Sequence, residues 1–285
     1  MTPAPALEVD NLTKIYGSRC QDCIENTGPD HGSNVCPVCG SVVACADITF
    51  DVMPGEILGI VGESGSGKST IVRCLHFDME PTGGAAYLHC SGDDSGNDSG
   101  CENIFLLNSQ RKRAVRNQHL GMVYQNPRMG LRLDVSSGGN IAEKLLAAGW
   151  RNVGNIRDRG RELLKRTEIP LERMDEAPRN FSGGMQQRVQ IAKALANDPD
   201  VLLLDELTTG LDVSVQARIL DLIKEIRRST DAAMILITHD LGVIKLLSER
   251  TIVLKDGRIV EMGLTDQILE DPQHEYTQLL VNSVL

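Results

Sequence analysis

The sequence predicts an α/β fold, and three kinds of stretch carry that prediction. The apolar run Ile57-Leu58-Gly59-Ile60-Val61 reads as a buried strand; it passes through the glycine-rich Gly62-Glu63-Ser64-Gly65-Ser66-Gly67-Lys68-Ser69 into Thr70-Ile71-Val72-Arg73, a helix start. Val201-Leu202-Leu203-Leu204 is a second unbroken apolar run, closed by Asp205-Glu206, and Met234-Ile235-Leu236-Ile237 repeats the design with His239 beyond its end. Such runs suit strands of a parallel sheet covered on both faces. Met185, Val189, Ala192 and Leu195, by contrast, recur at helical spacing.

Composition sets the outer bounds. The 285 residues suffice for a domain with a substantial core, and 24% charged with 41% apolar residues is ordinary for a soluble globular protein. A net charge of −10 argues against a general nucleic-acid binder, which shows a basic excess. The local Arg111-Lys112-Arg113 cluster with Arg116 reads as a solvated helix face. Met1 to Asp10 lacks the basic start and apolar run of a signal peptide. No apolar stretch approaches the roughly 20 residues that span a bilayer. The expectation is a cytoplasmic chain that inserts into no membrane and binds no nucleic acid.

In chain order, Leu7 to Thr13 alternates apolar and polar positions, as a half-buried strand does, and the pattern resumes over Ala46 to Val52 before the Pro54-Gly55 turn. The two read as a β-hairpin whose connection, residues 18–41, has been replaced by an inserted module. Within it, Cys20-Gln21-Asp22-Cys23 and Cys36-Pro37-Val38-Cys39 are two C-x₂-C pairs twelve residues apart. Each pair can grip one side of a tetrahedral Zn²⁺ through thiolates, and four thiolates leave no open position, so the expected site is structural. An iron–sulfur site and free thiols are the other readings of the same spacing. His31 reads as a loop residue, and Cys45, Cys74, Cys90 and Cys101 as ordinary thiols.

Gly62 to Ser69 fits the G-x-x-x-x-G-K-[ST] phosphate-loop pattern in its strand-loop-helix setting. Glycines at 62, 65 and 67 permit tight turns that aim backbone N–H groups at phosphate oxygens, with the positive end of a helix behind them. Lys68 is expected on the β- and γ-phosphates and Ser69 on Mg²⁺. A nucleoside triphosphate is the expected ligand.

Gly83 to His89 suggests an edge strand, and residues 90–103 a flexible loop, since Ser91 to Gly100 contains no apolar residue. Leu120 to Tyr124 reads as a short strand before Gln125-Asn126-Pro127. A helical subdomain follows over 126–190, clearest at Ile141 to Ala148 and Ile156 to Thr167. In Asn180-Phe181-Ser182-Gly183-Gly184-Met185-Gln186-Gln187-Arg188, Ser182 is a good N-cap, and Asp198-Pro199 is expected to end the helix that follows. Thr251 to Leu254 and Arg258 to Met262 flank the hairpin signal Lys255-Asp256-Gly257, and a short helical tail finishes the chain.

With these pieces placed, the sequence resembles the nucleotide-binding subunits of ATP-binding cassette (ABC) proteins from Leu7 onward, the two insertions excepted. Phe181 to Arg188 resembles the family's signature motif, and the other motifs occur in the family's order. The resemblance implies a P-loop NTPase core of ABC type with an antiparallel β subdomain and a helical subdomain, one nucleotide-binding domain over 1–285. It implies ATP hydrolysis by a head-to-tail dimer with a second copy or a related ABC subunit. ATP would be held by Tyr16 on the adenine, by Gly62, Ser64, Gly65, Gly67, Lys68, Ser69 and Thr70 on the phosphates, and by the partner's Ser182, Gly183 and Gly184. Asp212 matches the D-loop. Ser69, Gln125 and Asp205 would attend Mg²⁺, Glu206 would polarise the attacking water, and His239 would contact the γ-phosphate. Positioning and charge neutralisation are what phosphoryl transfer needs. Leu207 stands where the family usually has proline, a residue that would fix the backbone at that turn.

Several stretches further resemble the K-subunit family of the carbon–phosphorus lyase system, by which bacteria extract phosphate from organophosphonates. They are Gly130-Leu131-Arg132, Val135 to Ile141, Phe181 to Arg188, Gly210 to Arg218 and Tyr276 to Leu285. That resemblance implies soluble lyase core subunits as partners. Dipeptide, oligopeptide and nickel importer ATPases share Thr238 to Gly242 and Tyr276-Thr277 and are the alternative; they usually continue past that tail. A third reading is an interaction module in which ATP only switches a dimer. Only about 57 residues separate Gln125 from Ser182, too few for the long coiled coil of a DNA-repair cassette.

Overall fold

The computed structural model describes residues 4–89 and 102–283. The chain folds into two units, Met1–Asn108 with Ala233–Leu285, and Ser109–Ala232. Most of the loop expected over 90–103, together with Cys90, Cys101 and the last two residues, lies outside the described residues.

The first unit contains β1 (Leu7–Tyr16), β2 (Val42–Val52), β3 (Ile57–Val61), α1 (Lys68–Leu75) and β4 (Gly83–Leu88). After the second unit it resumes with β7 (Ala233–Ile237), α8 (Leu241–Leu247), β8 (Arg250–Lys255), β9 (Arg258–Leu264), α9 (Thr265–Glu270) and α10 (Glu275–Asn282). Strands β2, β1 and β4 form an antiparallel sheet in that order. β3 pairs in parallel with β7 on one side and β8 on the other, and β9 closes antiparallel against β8. Every residue of β3 and β7 is buried, as their unbroken apolar runs require. The expected hairpin is present but longer than alternation suggested. Register shifts past Val9 carry the pairing on to Lys14↔Cys45, Ile15↔Val43 and Tyr16↔Val42, so β2 begins four residues before the resumed alternation and the strands stop at the edges of the insertion.

The second unit contains α2 (Ser109–Gln118), β5 (Leu120–Val123), α3 (Pro127–Gly130), α4 (Ser137–Ala147), α5 (Val153–Arg166), α6 (Gly183–Ala194), β6 (Val201–Asp205) and α7 (Val213–Ser229). β5 and β6 are parallel, and all of their residues are buried. The helix predicted from Ile141 begins four residues earlier, at Ser137. Ser136 caps it by accepting from Gly139 N–H at 3.1 Å, and Gly138-Gly139 lie in the first turn. A β-carbon on Gly138 would stand 2.9 Å from Met174 Cε, so that side chain would have to shift. The buried Asn140 side chain pins the preceding loop, accepting from Arg132 N–H at 2.8 Å and donating to the carbonyls of Arg132, Val135 and Ser136. α6 stops at Ala194, short of Asp198-Pro199, and a turn covers the gap. The basic residues at 111, 113 and 116 lie on α2, which has no buried residue.

Among the described residues, no helix is long and apolar enough to cross a membrane. Leu145 is fully buried on α4 in the second unit. Leu145→Ala should lower unfolding free energy by about 2–5 kcal/mol, read from urea midpoints at unchanged slope.

Candidate functional site

The phosphate loop leaves β3 where every side chain is buried, and its shape depends on the absence of two β-carbons. A β-carbon on Gly62 (φ +150°) would lie 2.1 Å from the Leu254 carbonyl oxygen. One on Gly67 (φ +104°) would lie 1.9 Å from that of Ala44. Lys68 opens α1 with 4% of its surface exposed. Its Nζ donates to the carbonyls of Gly62 at 2.8 Å and Glu63 at 2.7 Å and lies 3.4 Å from Ser66 Oγ. A cation held inside the loop at the positive end of a helix is arranged to meet an anion. Ser69 and Thr70, half-buried, occupy the first turn of α1.

The same unit carries Tyr16 and His239. Tyr16 ends β1, 42% exposed, with its hydroxyl donating to Met79 Sδ at 3.1 Å and Lys14 Nζ 5.2 Å from the ring centroid. His239 is exposed beyond β7, just before Asp240, whose Oδ1 caps α8 by accepting from Gly242 and Val243 N–H. Sequence reasoning assigned no site role to Tyr276. Buried on α10, it accepts from Glu63 N–H at 3.0 Å and so braces the outer edge of the phosphate loop. Burial raises its phenol above the ordinary value, which keeps the hydroxyl protonated.

The second unit carries the acidic strand end. Asp205 is 1% exposed at the end of β6. Glu206 follows in the left-handed region (φ +47°), a strained backbone for a residue with a side chain. Gln125 Nε2 donates to Glu206 Oε2 at 2.8 Å, and Thr209 Oγ1 donates to the same oxygen at 2.9 Å. Leu207, in place of proline, is 3% exposed and anchors the turn by burial. Gln216 Nε2 then ties Thr208 and Leu211 together through their carbonyls, ahead of the exposed Asp212.

Thr209 and Gln190 are the residues that sequence reasoning missed in this unit. Gln190 is buried on α6 and pairs with both backbone groups of Tyr124, accepting from its N–H at 3.2 Å and donating to its carbonyl at 2.9 Å. It thereby fixes the residue before Gln125. Two glutamines, Gln187 and Gln190, among the buried residues of this helix were the available signal. Ser182 caps α6 by accepting from Met185 N–H at 3.4 Å. Ser182 and Gly183 are exposed, whereas Gly184 is buried, and a β-carbon on it would lie 2.3 Å from Val215 Cγ1 of α7.

The four module cysteines converge within the first unit. Sγ–Sγ separations are 3.5 Å for Cys20–Cys23, 3.6 Å for Cys20–Cys36 and 3.4 Å for Cys23–Cys39, and all four sulfurs lie within 4.8 Å of one another. A tetrahedral site with metal–sulfur bonds of about 2.3 Å separates sulfurs by about 3.8 Å, so the set fits one ion. Cys20 N–H also points at Cys23 Sγ, 3.2 Å away. Cys39 lies 3.2 Å from the Ser41 hydroxyl, which with the Ser41 amide draws the thiol down to about 6, whereas the hydrogen bond with Cys23 pushes Cys20 up to about 12 and burial raises Cys23. His31 is exposed and outside the cluster.

Cys45 and Cys74 are different: burial pushes each thiol from 9.0 up to about 12. Folded thiols therefore keep their protons while the unfolded chain begins to ionise near pH 9. Their contribution to stability is complete below pH 9 and is lost as pH rises toward 12. In the folded protein at pH 8 both should resist a thiol reagent that labels them fully in denaturant, and unfolding midpoints should fall above pH 9.

Similarity to known proteins accords with this geometry. The family described as ABC transporter matches residues 45–209. The chain is 42% identical over 281 residues to PhnK of Escherichia coli (strain K12), whose name links it to phosphonates utilization and ATP binding; the match covers 99% of this chain and 98% of that protein. It is 37% identical over 252 residues to the dipeptide transport ATP-binding protein DppD of Bacillus subtilis (strain 168), covering 86% of this chain and 72% of the relative. A dimeric, post-hydrolysis structure of the ATP-binding cassette MJ0796 bound to ADP and Pi superposes with a TM-score of 0.73 at 27% identity, covering 91% of this chain and 98% of that one. The chain belongs to the ABC transporter family and is an ATP-hydrolysing cassette with that family's α/β P-loop fold.

Proposed function

We propose that this ATPase serves organophosphonate breakdown in the cytoplasm, working as a head-to-tail dimer on the core subunits of a carbon–phosphorus lyase. The observation that carries the reading is the 42% identity to PhnK across 99% of the chain, against 37% across 86% for the dipeptide relative. The structural likeness to a dimeric cassette supports the dimer, as do the exposed Ser182, Gly183 and Asp212, free to meet a second subunit's nucleotide.

In this reading Tyr16 stacks on adenine, and Gly62, Ser64, Gly65, Gly67, Lys68, Ser69 and Thr70 hold the phosphate oxygens. Ser69, Gln125 and the buried Asp205 would hold Mg²⁺, which when bound neutralises charge on the phosphates. Glu206 takes the proton of the attacking water. Gln125 and Thr209 keep its carboxylate turned to one side until substrate and partner are in place, and His239 contacts the γ-phosphate. The four cysteines would hold a structural Zn²⁺, which when bound cross-links the module.

Importer relatives support a second reading, in which the partner is a membrane channel. Glu206→Gln should lower hydrolysis by about 10²–10⁴-fold while retaining ATP affinity. Unimpaired turnover would overturn the role given to Glu206. Tagged Glu206→Gln protein, with ATP and Mg²⁺, should recover lyase subunits from the soluble fraction; recovery of a polytopic membrane protein would decide for the importer. Substituting Cys20 and Cys36 should release about one metal ion per chain.

A further inference from the structure

The four-cysteine module has no part in the ATP reaction as described, yet it touches the nucleotide residues at two places. We infer that the module sets the spacing between Tyr16 and the phosphate loop, with Asn34 as the positioning residue through which it acts on that loop. The inference rests on the nucleotide-binding reading of Tyr16 and Gly62 to Ser69.

The first contact is beside Tyr16. Gly17 (φ +107°) packs so closely on Ser41 that a β-carbon would stand 2.8 Å from its hydroxyl, and Arg19 N–H donates to that hydroxyl at 3.0 Å. Ser41 sits between Cys39 and Val42, and Val42 is the strand partner of Tyr16. The segment carrying Cys20 and Cys23 is thus laid along the end of β1, and Arg258 Nη2 pins it from β9 by donating to the Ile24 carbonyl at 2.9 Å.

The second contact is at the phosphate loop. Cys36 N–H donates to the Ser41 carbonyl at 2.8 Å, Val35 bridges Val42, and Val43 N–H donates to the Asn34 carbonyl at 2.8 Å. Asn34 therefore has its backbone locked to β2, and its side-chain amide reaches the Gly65 carbonyl at 3.4 Å. Gly65 is the loop tip, with nothing within 4 Å of where its β-carbon would be. A donor on its carbonyl restrains a point that its own side chain cannot.

The cysteines join these two contacts. Cys20 and Cys23 belong to the Tyr16 side and Cys36 and Cys39 to the Asn34 side. The buried Cys23 and Cys36 pack with Val43 and Ala46 in one small core. An ion held by all four sulfurs makes the two sides one rigid body; four separate thiols hold them only by weak contacts. The same strand continues to Ala44, whose carbonyl backs Gly67, and to Ala46, whose N–H donates to the Gly257 carbonyl while Gly257 N–H donates to that of Ser66. The module is in this way built into the walls of the phosphate loop.

The test is ATP affinity, measured with a fluorescent ATP analogue on zinc-loaded full-length protein, alongside metal content and thermal midpoint. Asn34→Ala should keep its metal and its midpoint and weaken ATP binding about three- to tenfold, the effect of one lost hydrogen bond. Asn34→Leu, close in size without an amide to donate, should match it. Removing the metal from the wild type, with the chelator then cleared and Mg²⁺ restored, should weaken binding by a similar factor. Removing it from Asn34→Ala should add less than about twofold, because both changes break one connection. Unchanged affinity in both Asn34 variants, or full addition of the two effects, overturns the inference. If metal removal unfolds the chain, the two Asn34 variants decide alone. A wild-type protein that binds no ATP would overturn the nucleotide reading instead.

Discussion

The carbonyl oxygens of Ala44 and Leu254 stand where β-carbons of residues 67 and 62 would be, and the phosphate loop owes its shape to that pair of contacts. Backbone against backbone at this distance leaves the loop no room to relax. Lys68 is already held by the loop's own oxygens before any ligand arrives. Preorganisation of this kind places charge stabilisation in the fold, so little reorganisation is left for the reaction itself. Tyr276 and Asn34 brace the loop's outer side, so its geometry draws on α10 and the inserted module as well as on β2 and β8.

The second unit stores its precision differently. Glu206 sits in a strained backbone conformation at the end of a fully buried strand, and its carboxylate is steered by Gln125 and Thr209. Strain of this sort persists only where neighbours over-determine the conformation. Here the neighbours are the buried Leu207, the turn closed by Gln216, and the Gln190 pairing that fixes the approach to Gln125. Leucine does by packing part of what a proline would do by its ring.

What the sequence disclosed follows from how local each signal is. The phosphate loop, the four-cysteine spacing and the buried strands were legible because each is written in consecutive residues whose chemistry has few other uses. The start of β2 was not, because register shifts break the alternation that marks a strand, and only pairing across the hairpin extends it back to Val42. The start of α4 was missed because two poor helix formers, Gly138 and Gly139, occupy its first turn behind the Ser136 cap. Thr209, Gln190, Tyr276 and Asn34 were assigned no site role because each acts on a partner defined only by the fold, in the case of Tyr276 more than two hundred residues away in sequence.

The strand pair that frames the module closes on itself at Tyr16 and Val42, with Tyr16 opposite Val42 in register. Two chain ends already held together by a sheet ask almost nothing of whatever joins them, since closing a longer loop adds free energy only logarithmically. Such a junction can accept transplanted chain: a short turn and a metal-clipped domain are interchangeable as far as the pairing of Tyr16 with Val42 is concerned. A different connection would leave the β1–β2 pairing as it is and cost only the small cluster in which Cys23 and Cys36 pack on Val43 and Ala46.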